Sequence, residues 1–353
     1  MTAPPASTIP LAALERFCRA AFAAIGADEP TGEAATRAML HATTLGVDSH
    51  GVRLLPHYLK ALEGGRLNKA PRLTRAGGLG AVEVLDADHA QGALGAYRGM
   101  ERACDLAADF GVGAVAVRNT SHFGAAGAYA MAAAERGYIG LAFCNSDSFV
   151  RLHDGAERFH GTNPIAVGVP VAGSDPWLLD MATSAIPYNR VLLYRSLGTV
   201  LPDQVASDAG GADTRDAEAA EMLAPLGAAF GFKGAGLAGV AEILSAVLTG
   251  MQLSFDIPLM EGPDFATPRR LGAFLLALNP EAFLDRAQFD AGMARYLDRL
   301  RSSAARAGGR VMAPGDREWA VAAERRIAGV TLDPATAAAF AEIARDLGID
   351  PPA

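Results

Sequence analysis

Between Pro10 and about Arg66, apolar residues such as Leu14, Phe17, Ala21 and Phe22 recur at spacings of three and four, which predicts amphipathic helices. Thr31 is the expected N-cap of the second helix, which should end near Gly46. A turn holding Asp48, Ser49 and His50 then leads into a third, with Pro56 in its first turn and Gly64-Gly65 as its stop. From about Pro71 the texture changes to short β-like runs, VEVLDAD and VGAVAVRN, separated by a helix over 95–110. The order strand 113–118, loop 119–123, helix 124–136 and strand 138–145 predicts a βαβ element. Strands are also expected at 165–170 and 177–181, followed by a looser segment over about 196–216. A helix after Lys233, the apolar run LGAFLLALN and an arginine-rich helical segment from about Glu281 complete the chain. The run 234–251 carries Glu242 at its middle and several glycines, so it reads as a buried helix and not as a membrane span.

This pattern divides the chain into two units. A helical region of residues 1–70, carrying His50, should pack with C-terminal helices of 281–353, and an α/β domain should occupy 71–280. At 353 residues the chain exceeds what one hydrophobic core usually holds, which agrees with that division. A net charge of −8 argues against nucleic acid or an anionic membrane as the main partner and leaves a small molecule. Cys18, Cys104 and Cys144 show no CxxC spacing, which supports neither a disulfide framework nor a zinc site. The opening stretch MTAPPASTIP lacks the basic start and apolar run of a signal peptide, so the expected location is the cytoplasm.

All seven histidines lie before residue 161, and two stand in loops of small and polar residues, Asp48-Ser49-His50-Gly51 and Asn119-Thr120-Ser121-His122-Phe123-Gly124. Ser49 can hydrogen-bond the His50 ring, and Gly51 admits a close neighbour. If the following segment is helical, His50, Arg53, His57 and Tyr58 share one face, offering a proton donor, a carboxylate-binding cation and a phenol together. The same spacing is equally that of a helix cap with a core tyrosine. His122 precedes a helix opening on Gly124, Ala125, Ala126 and Gly127, whose free N–H groups suit a pyrophosphate, although close helix–sheet packing would select the same small residues. GVGAVA at 111–116 matches GxGxxA, but a helix precedes it and a strand follows, the reverse of the dinucleotide fingerprint. Lys233 in GFKGAGLAG opens a helix and could reach a phosphate or ribose. Zinc-protease, thiol-redox, hydrolase-elbow and ATPase motifs do not occur, which leaves hydride transfer open.

Five ordered blocks carry a more specific signal: GVDSHGVRLLPHY (46–58), RNTSHFGAAGAYA (118–130), GTNPIAVGVP (161–170), LDMATSA (179–185) and PLGAAFGFKGAGLAGVAEILSAVLTG (225–250). Together they resemble the type-2 malate/L-lactate dehydrogenase family, which also includes sulfolactate and ureidoglycolate dehydrogenases and Δ1-piperideine-2-carboxylate reductases. The resemblance implies a non-Rossmann, mixed-sheet α/β fold with a helical region, usually a homodimer, and NAD or NADP as cofactor. It implies that His50 donates a proton with Ser49 assisting, and that Tyr58 and Thr162 contact substrate. It implies a cofactor site formed by His122, Phe123, Gly124, Ala125, Ala126, Asp180, Met181, Ala182 and Lys233. Two departures stand out: Leu54 occupies the place of a family arginine, and Tyr188-Asn189-Arg190 follows LDMATSA, so Arg53 or Arg190 is left to bind the substrate carboxylate. The expected reaction is hydride exchange between NAD(P)H and a small 2-oxo acid, with a cyclic imino acid as the alternative substrate. A nucleotide-binding protein without catalysis, or a helical scaffold without a ligand, is the remaining class.

Overall fold

The computed structural model describes residues 8–353; residues 1–7, the first part of the stretch expected to hold no signal peptide, lie outside them. The chain opens with helices α1 (Leu11–Ala24), α2 (Glu29–Thr44) and α3 (Leu55–Glu63), then strands β1 (Thr74–Leu79) and β2 (Val82–Asp86). Helix α4 (Gly92–Phe110), strand β3 (Val112–Thr120), helix α5 (Gly127–Glu135) and strand β4 (Ile139–Cys144) follow. Short strands β5 (Val150–Arg151) and β6 (Arg158–His160) precede β7 (Ile165–Val169) and β8 (Trp177–Met181). Next come α6 (Tyr188–Leu197), β9 (Ala206–Ser207), β10 (Met222–Leu223), α7 (Phe232–Glu242) and β11 (Leu271–Leu278). The chain closes with α8 (Arg286–Arg301), α9 (Asp316–Ala328) and α10 (Pro334–Leu347).

The N-terminal helices form because one face of each is apolar. Leu14, Phe17, Cys18, Ala21 and Phe22 of α1 are buried, and the Phe17 ring meets Phe340 of α10 at 4.9 Å between centroids. Residues of α1 to α3 share one core with Val330, Phe340 and Ala344, so the two ends of the chain pack together. Helix α8 lies elsewhere, beside the turn between β7 and β8. The N-cap of α2 is Asp28, whose carboxylate accepts from the Thr31 N–H, and not Thr31; Pro30 in the first turn moves the start of the helix upstream.

Seven strands form one mixed sheet in the order β1-β2-β3-β11-β4-β7-β8. The expected βαβ unit is split: β3 and β4 run in the same direction, but β11, the run LGAFLLALN, lies between them and pairs antiparallel with both. Helix α4 packs on β3 through small residues, since a Cβ at Gly99 would lie 2.8 Å from Val117 Cγ2. The dinucleotide-like GVGAVA is indeed the turn from α4 into β3, with Gly111 left-handed at φ +79°. Four short strands, β6-β5-β10-β9, build a small lobe with α6 around Val150, Val191, Leu201 and Leu223.

The register brings several chain segments to one edge of the large sheet. Leu271 stands opposite Thr120, Ala273 opposite Cys144, Phe143 opposite Ile165 and Ile165 opposite Met181. The loops leaving β3, β4 and β8 and those entering β7 and β11 therefore meet there. Run 234–251 is not a buried helix: it covers α7 and a π-helical turn, and Leu237, Val240, Ile243, Val247 and Leu248 are exposed along it. Its buried side is held by Glu242, whose carboxylate accepts from Asn163 Nδ2 at 2.7 Å, Ser254 Oγ at 2.5 Å and the Ser254 N–H at 2.6 Å. No helix among the described residues is long and apolar enough to cross a membrane.

Candidate active site

His50 ends a 3-10 turn over Asp48–His50 that is anchored from two sides. Arg325 of α9 donates to both carboxylate oxygens of Asp48, at 2.5 and 2.9 Å. The Val52 N–H donates to Thr43 Oγ1 at 2.9 Å, and a Cβ on Gly51 would lie 2.3 Å from that same oxygen, so glycine permits this approach. Within the turn Ser49 Oγ lies 2.9 Å from His50 Nδ1, and Nε2 has no hydrogen-bond partner among the described residues.

Gly51 has an extended backbone, with a second 3-10 turn over Val52–Leu54 before α3 begins at Leu55. The four residues expected on one face are therefore not on one helix. Tyr58 and His50 still reach the same place, but Arg53 is exposed and its charge acts on Asp333, the N-cap of α10. His57 points instead to Phe265, at 5.8 Å between ring centroids.

His122 meets this cluster from the loop after β3. Its Nδ1 is 2.9 Å from the Tyr58 hydroxyl, and its ring stacks on His50 with centroids 5.8 Å apart and planes at 27°. Helix α5 starts at Gly127, three residues later than expected, so His122–Ala126 is an irregular loop. A Cβ on Gly124, at φ +79°, would lie 3.7 Å from both His50 O and the Tyr58 hydroxyl, which shows how closely this loop faces the helical region. Gly127 N–H donates to Asp180 Oδ2 at 2.9 Å, joining the start of α5 to the end of β8. No backbone N–H of residues 122–126 has a protein acceptor among the described residues.

The remaining expected residues lie around this edge. Thr162 accepts the Thr183 N–H on its carbonyl at 2.9 Å and donates its own N–H to Ser146 Oγ at 3.2 Å. Met181 and Ala182 are half-buried where β8 ends. Lys233 is exposed at the start of α7, 5.3 Å above the Phe230 ring, and the segment before it is tied to the β8 exit by Leu226 N–H to Thr183 O at 2.9 Å. Arg190 stands exposed on α6, and no hydrogen bond or ion pair among the described residues joins it to the histidines.

Burial sets the charge of the cluster. It lowers His50 below the ordinary imidazole value and lowers His122 much further, with His50, Arg269 and His57 adding repulsion of a second positive charge. It raises the Tyr58 phenol, so that group stays protonated. A neutral His122 that accepts the phenol's hydrogen on Nδ1 carries its own proton on Nε2. Asp180 is open to solvent yet hemmed in by protein on its other sides, which pushes its carboxyl up to about 6 against the pull of the Gly127 N–H.

Two residues at this edge carry no motif signal. Arg269, just before β11, and Asp147, in the loop after β4, form an ion pair with side chains only 2% and 4% exposed. Arg269 sits among apolar and proline-rich sequence, and its role emerges only once β11 lies between β3 and β4. Cavities of ≈ 500 and ≈ 520 Å³ open between the β7–β8 turn and α8, away from the histidines.

A sequence profile described as malate/L-lactate dehydrogenase matches residues 9–341. The chain belongs to that family. It is 34% identical over 319 residues to a (2R)-3-sulfolactate dehydrogenase (NADP(+)) of Chromohalobacter salexigens, covering 90% of this chain and 92% of that one. The crystal structure of malate dehydrogenase from Entamoeba histolytica superposes with a TM-score of 0.92 at 27% identity, covering 98% of this chain and 99% of that one. Δ1-piperideine-2-carboxylate reductase from Pseudomonas syringae pv. tomato superposes with a TM-score of 0.83 at 27% identity, covering 96% and 99%. This enzyme is therefore an oxidoreductase of the dehydrogenase and reductase kind, built on a mixed-sheet α/β fold with a helical region.

Proposed function

We propose that the protein exchanges a hydride between NAD(P)H and a small 2-oxo acid, with His50 delivering the proton that completes the 2-hydroxy acid. The observation that carries this reading is the stacked pair of imidazoles, 5.8 Å apart, one from the helical region and one from the sheet edge. Their partners differ, and so do their roles. Ser49 accepts from Nδ1–H of a protonated His50, leaving Nε2–H to protonate the developing alkoxide. His122, neutral and fixed by Tyr58, offers only a hydrogen bond from Nε2.

The residues at the edge fit a dinucleotide. The loop 122–126 is largely buried, yet its N–H groups have no protein acceptor among the described residues, and Gly124, Ala125 and Ala126 add no bulk beside these donors, which we assign to a pyrophosphate. Asp180 adjoins that loop through its contact with the Gly127 N–H, Met181 and Ala182 follow Asp180 in the chain, and Lys233 is assigned to the same cofactor. When bound, the nicotinamide supplies the hydride. Thr162 is assigned to the substrate, as is Tyr58 through His122. The similarity to a piperideine-carboxylate reductase favours one second reading, reduction of a cyclic imino acid, in which His50 protonates nitrogen instead of oxygen.

The exposed apolar face of α7 and the π turn, with the exposed Phe230 just before it and Phe232 at its start, is assigned to a homodimer contact. Val247→Glu on that face should convert a dimer to a monomer in light scattering; an unchanged mass refutes the assignment. The three buried, unpaired thiols suit a reducing cytoplasm. The reaction is tested by following nicotinamide absorbance with NADH or NADPH and pyruvate, oxaloacetate, sulfopyruvate or cyclic imino acids. Turnover of at least one acid is expected, and cofactor binding without any turnover would replace the reading with a non-catalytic nucleotide-binding protein.

A further inference from the structure

A 2-oxo acid brings a carboxylate that needs a cation, and the two arginines suggested by the sequence are turned elsewhere: Arg53 acts on Asp333, and Arg190 is exposed on the small lobe. Arg269 lies where the site needs one. It directly precedes β11 at the edge where β3 and β4 end, and its charge reaches His57, Tyr58 and His122. The side chain is 2% exposed, and two of its three nitrogens are committed. Nε donates to Pro258 O at 2.8 Å, and Nη2 donates to Asp147 Oδ1. Asp147 is itself fixed, since its Oδ2 accepts the Met260 N–H at 3.1 Å. The third nitrogen, Nη1, is buried and has no partner.

An arginine fork that is clamped on two sides and empty on the third is preorganised for one more acceptor. We propose that Arg269 is the carboxylate anchor of this enzyme, binding the substrate through Nη1, with Asp147 as the positioning residue behind it. The assignment rests on the hydride-transfer reading above. Nη1 is closed off from bulk water, so a carboxylate that reaches it bonds without competing solvent. The Asp147 carboxylate offsets the guanidinium charge while the site is empty, which explains how an arginine is kept buried near two imidazoles, His57 and His122.

The test compares wild type, Arg269→Lys and the double variant Arg269→Met/Asp147→Leu, which removes both buried charges and so leaves neither unpaired. Each is assayed with a 2-oxo acid turned over by the wild type and with the matching 2-oxo amide, and NADH or NADPH affinity is measured separately by fluorescence. Arg269→Lys should raise KM for the acid roughly 10- to 100-fold, while cofactor Kd stays within about twofold. The wild-type preference for acid over amide should collapse in the double variant. An unchanged KM in Arg269→Lys, or a retained preference in the double variant, overturns the anchor while leaving hydride transfer intact. No turnover by the wild type with any acid overturns both.

Discussion

Replacing Tyr58 by phenylalanine removes one oxygen atom from the interior, and the structure fixes what that should cost. The hydroxyl lies 2.9 Å from His122 Nδ1, and Tyr58 is only 2% exposed, so water does not readily replace it. Loss of the phenol leaves a buried imidazole nitrogen without a partner, a penalty of about 1–3 kcal/mol. A second effect follows from the tautomer. With no donor at Nδ1, the His122 proton is free to occupy either nitrogen, and the Nε2–H that faces the site is no longer guaranteed. Losing half or more of that donor's contribution should lower kcat/KM roughly 5- to 30-fold. Urea unfolding and steady-state kinetics at neutral pH measure the two effects separately. A Tyr58→Phe enzyme with wild-type stability and wild-type kcat/KM would show that the hydroxyl and His122 do not act as a pair.

The lowered basicity of His50 makes the two reaction directions respond oppositely to pH. Oxidation needs the neutral imidazole, so its kcat/KM should be flat through neutrality and fall only as pH drops below 6.5. Reduction needs the protonated ring and should lose about tenfold per pH unit above that lowered value; an oxidation rate that rises through pH 7–8 would contradict this. Gly127→Ala would place a Cβ 2.8 Å from Asp180 Oδ2, so the end of β8 and the start of α5 must part. NADH affinity should drop about tenfold with a stability loss of about 1–3 kcal/mol, measured by fluorescence titration and thermal unfolding; unaltered affinity would remove this junction from the cofactor site.

Much of the site was legible because its chemistry is local. Ser49-His50 and His122-Phe123-Gly124 announce themselves as polar loops cushioned by glycine, and the strand expected over 177–181 has the bounds of β8. What failed depended on distance. A helical wheel puts Arg53 beside His50, but the extended backbone at Gly51 breaks the helix and leaves Arg53 exposed. The apolar run 234–251 reads as burial, yet an apolar run looks the same whether it is covered by its own chain or left exposed. The insertion of β11 between β3 and β4 is a pairing between residues more than a hundred positions apart, which no local pattern encodes. Arg269 and Asp147 owe their place to that pairing and were invisible without it.

The central claim is that His50 gives the proton, and His50→Gln tests it most directly because glutamine keeps a polar side chain of similar reach but cannot act as an acid near neutrality. The variant should bind NADH or NADPH with wild-type affinity and lose about 10²- to 10⁴-fold in kcat for the acid that the wild type reduces. Turnover within tenfold of wild type, with cofactor binding intact, would contradict the account.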